Sequence, residues 1–300
     1  MLHRRFYYSV GEKKYEAEIV EPIKKTTGWC LLLPGSGDIP LDRVTSGSIF
    51  LEQLAEALAR NGLGTIRSAK TSLTCSRSPN SYEEEYVKPT ICMINALKTK
   101  RPDIRISTVI GHSLGGHVAP LVVMSIPTIK GIVLLNAPFR PLNEIARSQI
   151  ELAGMVSPDF VFECLQEIDP NLYIYLNNAS KYDVRTGFKS IDVPALCILA
   201  GRDECIKTNE VSAWKTLKKD GAKIDIEWHP TLNHYCLPVS AQCIAPKSFP
   251  LSIFSARVPE YLVKRISMWI FKRLASDRHP IAFQDGRSEY AEPKRSTEYN

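Results

Sequence analysis

The chain has 300 residues, 44% of them hydrophobic, enough for one large α/β domain with a sizeable core or for two small ones. Its 38 basic and 32 acidic residues leave a net charge of +6 without a long basic run, and no recognition motif accompanies them, which argues against nucleic acid as a partner. No stretch has the length of a secretory signal or a membrane span, and the eight cysteines form neither a Cys-x-x-Cys pair nor a metal-ligand spacing, so free thiols in a reducing, cytoplasmic setting are expected, with no metal.

Residues 4 to 10 and 14 to 21 are strand-like runs around Gly11-Glu12-Lys13 and predict a hairpin. Residues 29 to 33 form a continuous apolar run typical of a central strand, which ends in Pro34-Gly35-Ser36-Gly37-Asp38. Residues 49 to 60 repeat apolar positions at helical spacing and stop at Asn61-Gly62. A short strand over 64 to 67 follows, and then a polar surface loop from 68 to 81. Residues 82 to 98 begin acidic and end basic, as a helix dipole favours, with Pro89 expected to kink the helix or split off its first turn.

A β-branched strand over 104 to 110 leads into Gly111-His112-Ser113-Leu114-Gly115, followed by a tightly packed helix from 115 to 125 and another apolar strand over 131 to 136. This repeated strand-then-helix rhythm predicts a mainly parallel sheet with helices on both faces. Residues 139 to 191 interrupt it with helical patches at 142 to 152 and 159 to 167, read as an inserted helical cap. The rhythm resumes with a strand over 194 to 200, Gly201-Arg202-Asp203-Glu204, a helix from about 209 to 219, a strand over 223 to 228, and a terminal helix over 258 to 274. Residues 1 to 274 thus form one domain, and the polar residues 275 to 300 are expected to be a disordered tail.

Gly-x-Ser-x-Gly between a strand and a helix is the pattern of a nucleophile held on a sharp turn, the glycines being required because side chains there would collide. A serine hydroxyl needs a histidine to take its proton and a carboxylate to orient that histidine. Asp203 follows one strand and His234 the next, in the order serine, acid, histidine expected along such a sheet. His229 is a second candidate base, with less reach beside Pro230, and His112 and His117 are read as structural. The negative charge of a tetrahedral intermediate requires fixed N–H donors, which fall at Leu114 and, by position, Ser36; the Ser36 loop read alone is a phosphate cradle or an ordinary tight turn, and the absence of a Gly-x-x-x-x-Gly-Lys pattern argues against the cradle.

Together Leu33-Pro34-Gly35-Ser36-Gly37-Asp38, Asp42-Arg43, Glu84-Glu85-Tyr86-Val87, Gly111-His112-Ser113-Leu114-Gly115-Gly116 with Ala119-Pro120, Gly201-Arg202-Asp203 and Leu232-Asn233-His234 resemble the α/β-hydrolase superfamily, in its serine carboxylesterase and dienelactone-hydrolase-like branch. The resemblance runs from about residue 5 to residue 274. It implies an eight-stranded sheet with a helical cap after the sixth strand, a Ser113, Asp203, His234 triad, and Ser36 and Leu114 as oxyanion donors. It departs from the family pattern at Arg67-Ser68-Ala69-Lys70-Thr71, which lacks the aspartate and aromatic residue usual after the fourth strand. The expectation is a hydrolase that cleaves a small-molecule carboxylic ester through an acyl-enzyme on Ser113 and needs no cofactor. A thioesterase, amidase or acyltransferase would use the same groups, and a non-catalytic binding protein could keep the fold.

Overall fold

The computed structural model describes residues 1–70, 79–154, 157–206, 210–239 and 257–276. Its strands are β1 (Leu2–Val10), β2 (Lys13–Glu21), β3 (Gly28–Leu33), β4 (Leu63–Ser68), β5 (Ile106–His112), β6 (Gly131–Leu135), β7 (Ala195–Ala200) and β8 (Ile224–His229). They form one eight-stranded sheet in the order β1-β2-β4-β3-β5-β6-β7-β8. β1 and β2 make the expected antiparallel hairpin, β2 runs antiparallel to β4, and the pairings from β4 through to β8 are parallel.

The helices in chain order are α1 (Ser46–Arg60), α2 (Lys88–Lys100), α3 (Leu114–His117), α4 (Ala119–Met124), α5 (Leu142–Ala153), α6 (Pro158–Ile168), α7 (Pro170–Ala179), α8 (Val184–Lys189), α9 (Glu210–Lys219) and α10 (Glu260–Ser276). β3, β6 and β7 are buried along their whole length. Successive side chains in these strands therefore alternate between two apolar layers. Leu31, Leu33, Ile132, Leu134 and Cys197 face one layer, closed by α2, α4 and α9. Cys30, Leu32, Val133, Leu135 and Ile198 face the other, closed by α1 and α10. α1 starts where Thr45 accepts the Ser48 N–H at 3.1 Å and Ser48 returns a bond to the Thr45 N–H at 3.0 Å.

Local chemistry explains where the elements depart from the sequence reading. β5 begins at Ile106 because a turn closed by the Ile104 N–H on Arg101 takes up Ile104, and it reaches His112 because pairing with β6 continues to Leu135. The helix after Ser113 is broken at Val118 into α3 and α4, since Pro120 has no N–H for the continuing ladder. Glu83–Val87 is a π-helical turn, and Pro89 sits in the first turn of α2, where its missing N–H costs nothing. The expected tail lies outside the described residues beyond Ser276, as do residues 71–78 of the expected loop.

Four helices, α5 to α8, occupy the chain between β6 and β7. Glu210, 2% exposed, anchors the start of this segment by accepting the Phe139 N–H at 2.6 Å and the Arg140 guanidinium at 2.6 Å. Among the described residues no helix is long and apolar enough to cross a membrane. Cys30, Cys92, Cys164, Cys197, Cys205 and Cys236 are free thiols.

Candidate active site

Parallel register brings the carboxyl ends of the central strands together: Leu33 of β3 pairs with Gly111 of β5, and His112 with Leu135 of β6. The segments that follow these strands carry Ser36, Ser113, Asn136, Asp203 and His234.

Ser113 has φ 52° and ψ −125°, a backbone state that costs of order 1–3 kcal/mol for a residue with a side chain. Hydrogen bonds hold it there: its N–H donates to Leu135 at 2.8 Å and its carbonyl accepts from Gly116 at 2.9 Å. The motif glycines are needed for close approach. A Cβ on Gly111 would lie 2.4 Å from the Gly115 carbonyl oxygen, and one on Gly115 would lie 2.4 Å from that of Leu33. The loop after β3 therefore runs against the turn, and a Cβ on Gly35 would stand 3.1 Å from that of Ser113.

His234 Nδ1 donates to Asp203 at 2.8 Å (Oδ2) and 3.0 Å (Oδ1). Both side chains are almost fully buried, at 6% and 5% exposure. With its proton on Nδ1, the imidazole carries its lone pair on Nε2. Asp203 is oriented in turn by the N–H groups of Cys205 and Ile206, each at 2.8 Å. Burial disfavours a charged His234, but the Asp203 carboxylate, its hydrogen bond and the charge of Glu204 outweigh burial and raise its pKa above the ordinary 6.5.

His112, His117 and His229 have other partners. His112 is pushed down to about 3 by burial and by His234, so its neutral ring donates from Nε2 to the His234 carbonyl at 2.9 Å. Its ring lies 4.8 Å from that of His234 and 4.6 Å from Phe50. His117 is buried and pushed down to about 4 by desolvation, with Nδ1 donating to Pro138 at 3.0 Å. His229 is the last residue of β8 and lies beside Glu227 and the Tyr261 ring.

Ser36, Ser113 and Leu114 line one cavity of about 400 Å³. Leu114 opens α3, so its N–H is one of the N-terminal donors with no partner inside the helix. The roof comes from α5, through Leu142, Ile145, Ala146 and Gln149 at helical spacing, and from Leu172, Tyr175 and Leu176 of α7. The Ser113 hydroxyl makes no hydrogen bond to His234 among the described residues. The structure thus joins Asp203 to His234, sets Ser113 with Ser36 and Leu114, and connects the two groups through His112.

Three residues here escape the sequence reading. Asn136, buried and at φ 48°, donates to the carbonyls of Asn233 at 3.1 Å and His234 at 2.8 Å while accepting the Ala200 N–H at 2.7 Å. An asparagine directly after an apolar strand was its signal. Lys70, within the stretch read as a surface loop, has a side chain only 7% exposed and pairs with Glu85 at 2.5 Å on the cavity wall. Glu85 also accepts the Tyr175 hydroxyl. Cys205 lies with Asp203 and His234 in a cluster whose potential ligand atoms fall within 4.8 Å of one another. Burial, with Asp203 and Glu204, pushes its thiol up to about 12, which disfavours the thiolate a metal would take.

Solved structures share this architecture. The chain superposes on Est1E from Butyrivibrio proteoclasticus with a TM-score of 0.59, covering 90% of this chain and 99% of that one at 16% identity. For a Pyrococcus furiosus esterase, Pf2001, the TM-score is 0.63, with 90% and 91% covered at 15% identity. This chain has the α/β-hydrolase fold. Proline iminopeptidase from Mycobacterium smegmatis matches with a TM-score of 0.59, over 91% of this chain and 99% of that chain at 11% identity, so the α/β-hydrolase backbone here is common to proteins of differing substrates. Neither a protein-family model nor a curated protein matches the sequence.

Proposed function

We propose that this α/β-hydrolase-fold protein is a serine hydrolase that cleaves a small-molecule carboxylic ester. The observation that carries the reading is the Asp203–His234 hydrogen bond at 2.8 Å beside a serine held at φ 52° over a cavity. His234 Nε2 takes the Ser113 proton as Oγ attacks the ester carbonyl, and Asp203 fixes the tautomer and stabilises the imidazolium. The N–H groups of Ser36 and Leu114 receive the oxyanion. Collapse expels the alcohol, protonated by His234, and water then releases the acyl group by the same steps in reverse. The first proton transfer needs a Ser113–His234 hydrogen bond, which forms as substrate binds.

The helical segment α5 to α8 acts as a cap whose apolar side chains Leu142, Ile145, Leu172 and Leu176 select the acyl or alcohol portion. Est1E was solved with ferulic acid bound, and a cavity of about 400 Å³ accommodates an aromatic acyl group of that kind. An ester and thioester panel of graded chain length, run on the native enzyme and on Ser113→Ala, tests the proposal. The serine variant is expected to lose turnover of p-nitrophenyl butyrate by ~10³ or more, and undiminished activity in it would rule the mechanism out.

A further inference from the structure

Lys70, on the cavity wall, has an environment that the proposed reaction leaves unexplained. Its Nζ donates to the Gly35 carbonyl at 2.8 Å and to the Tyr86 hydroxyl at 3.2 Å, besides pairing with Glu85 at 2.5 Å. Tyr86 in turn donates to the same Gly35 carbonyl at 3.0 Å and to that of Pro34 at 3.2 Å. Three acceptors use the three donors of the ammonium, so it has none left to bind an anionic group on a substrate. Burial lowers the pKa of Lys70 from the ordinary lysine value while Glu85 and Asp38 oppose the change.

The carbonyl at the centre of this arrangement belongs to the peptide unit whose N–H is that of Ser36. No described peptide bond is cis, so the C=O and N–H of this planar unit point to opposite sides. Drawing electron density toward the carbonyl oxygen, with a cation and a hydroxyl, makes the N–H at the far side a stronger donor. In a low-dielectric site such polarisation passes along the hydrogen-bonded chain. The same two bonds also fix the plane of the peptide, and so the direction of its N–H.

We infer that Lys70, assisted by Tyr86, is a positioning residue that orients and polarises the Gly35–Ser36 peptide so that its N–H stabilises the oxyanion. The inference rests on the serine-hydrolase reading above. Through Glu85 and the hydroxyl of Tyr175 on α7, the same network ties the oxyanion peptide to the cap, so a substrate that displaces α7 also disturbs the oxyanion donor.

The test combines labelling by a fluorophosphonate, steady-state kinetics with p-nitrophenyl butyrate, and binding of a boronic acid that forms a tetrahedral adduct with the serine. Lys70→Met is expected to lower kcat roughly 10- to 100-fold with KM within about twofold, part of the loss seen when an oxyanion donor is removed outright. Boronic acid affinity falls by a similar factor while affinity for butyrate, the product, holds. Lys70→Arg restores part of kcat, because it returns a cation to the carbonyl. If Lys70→Met fails to fold with Glu85 left unpaired, the double variant Lys70→Met with Glu85→Gln, and Tyr86→Phe, which keeps its ring, carry the measurement. Labelled wild type with kcat unchanged in the variants, or with KM raised at constant kcat, overturns the role of Lys70 alone. Wild type that resists labelling at Ser113 removes the hydrolase reading, and the role of Lys70 with it.

Discussion

The side-chain amide of Asn136 donates to the backbone carbonyl of His234 at 2.8 Å, and its oxygen accepts the Ala200 N–H at 2.7 Å. One buried side chain therefore joins the end of β6, the end of β7 and the loop that holds the imidazole. Asn136→Gly tolerates the φ of 48° but strips all these bonds at once. Its expected effect is a kcat lower by about 10², the scale of loss from a displacement near 1 Å, together with a stability loss of roughly 1–3 kcal/mol. Kinetics and urea denaturation measure the two, and a variant with native kcat would separate Asn136 from the placement of His234.

On the proposed mechanism the pKa of His234 sets the acid limb of the rate profile. The base must be neutral, so activity falls as pH drops through the raised value, with a midpoint above 6.5. Around the ring lie Asp203, Cys205, His112 and Tyr235, with the Glu204 carboxylate on the His234 backbone N–H. Asp203→Asn removes the nearer charge, and the midpoint should move down while kcat drops on the order of 10⁴-fold. The linkage has the opposite sign for stability: the ion pair stabilises fully below the unfolded value of about 6.5 and ceases to do so as pH rises through the folded one. A kcat/KM profile whose midpoint is unmoved in Asp203→Asn would contradict the assignment.

Gly115→Ala tests the packing of the turn. The new Cβ would meet the Leu33 carbonyl oxygen at 2.4 Å, a backbone atom with no rotamer to yield. The expected outcome is loss of soluble folded protein or of Ser113 labelling, read by circular dichroism and by the fluorophosphonate. Gly37→Ala is the control, since nothing lies within 4 Å of its Cβ position and only its φ of +82° opposes the change; it should cost about 1 kcal/mol.

Ala146 faces the cavity from α5 between Leu142 and Gln149. Ala146→Trp fills part of the roof without touching Ser113, Asp203 or His234. With p-nitrophenyl esters of increasing chain length, the optimum should shift toward acetate, and kcat/KM for the longest ester should fall by roughly tenfold or more, the scale of one or two methylenes excluded from a pocket. An unchanged chain-length profile would place the acyl group elsewhere.

What the sequence made legible follows the range of the interactions. Ser113 could be read because its glycines, its strand and its helix lie within a few residues, and Asp203 and His234 because each follows a strand at a fixed place in a repeating pattern. The sequence does not delimit α7, which starts one residue beyond Asp169, where two helices meet with no intervening loop. Lys70 reads as loop because its meaning lies in Gly35, Glu85 and Tyr86, brought beside it by the sheet and not by the chain. Glu210 likewise takes its partners from Phe139 and Arg140, some seventy residues earlier. Polar groups that serve distant backbone leave no local periodicity.

The segment α5 to α8 leaves the sheet after Leu135 and returns at Ala195, on strands that are direct neighbours, with Ile132 paired to Ala195 and Leu135 to Ile198. Because the two strands run parallel, Leu135 and Ala195 are offset by three residues along the strand direction, and the ends of the segment lie about 11 Å apart, from a rise of about 3.3 Å per residue and a strand spacing of about 4.8 Å. A segment that lies wholly between two paired strands can be lengthened, trimmed or exchanged without altering one rung of the ladder beneath. On the proposed reading, chemistry and appetite could then be inherited separately, the sheet holding the reacting groups and the insert choosing what is brought to them.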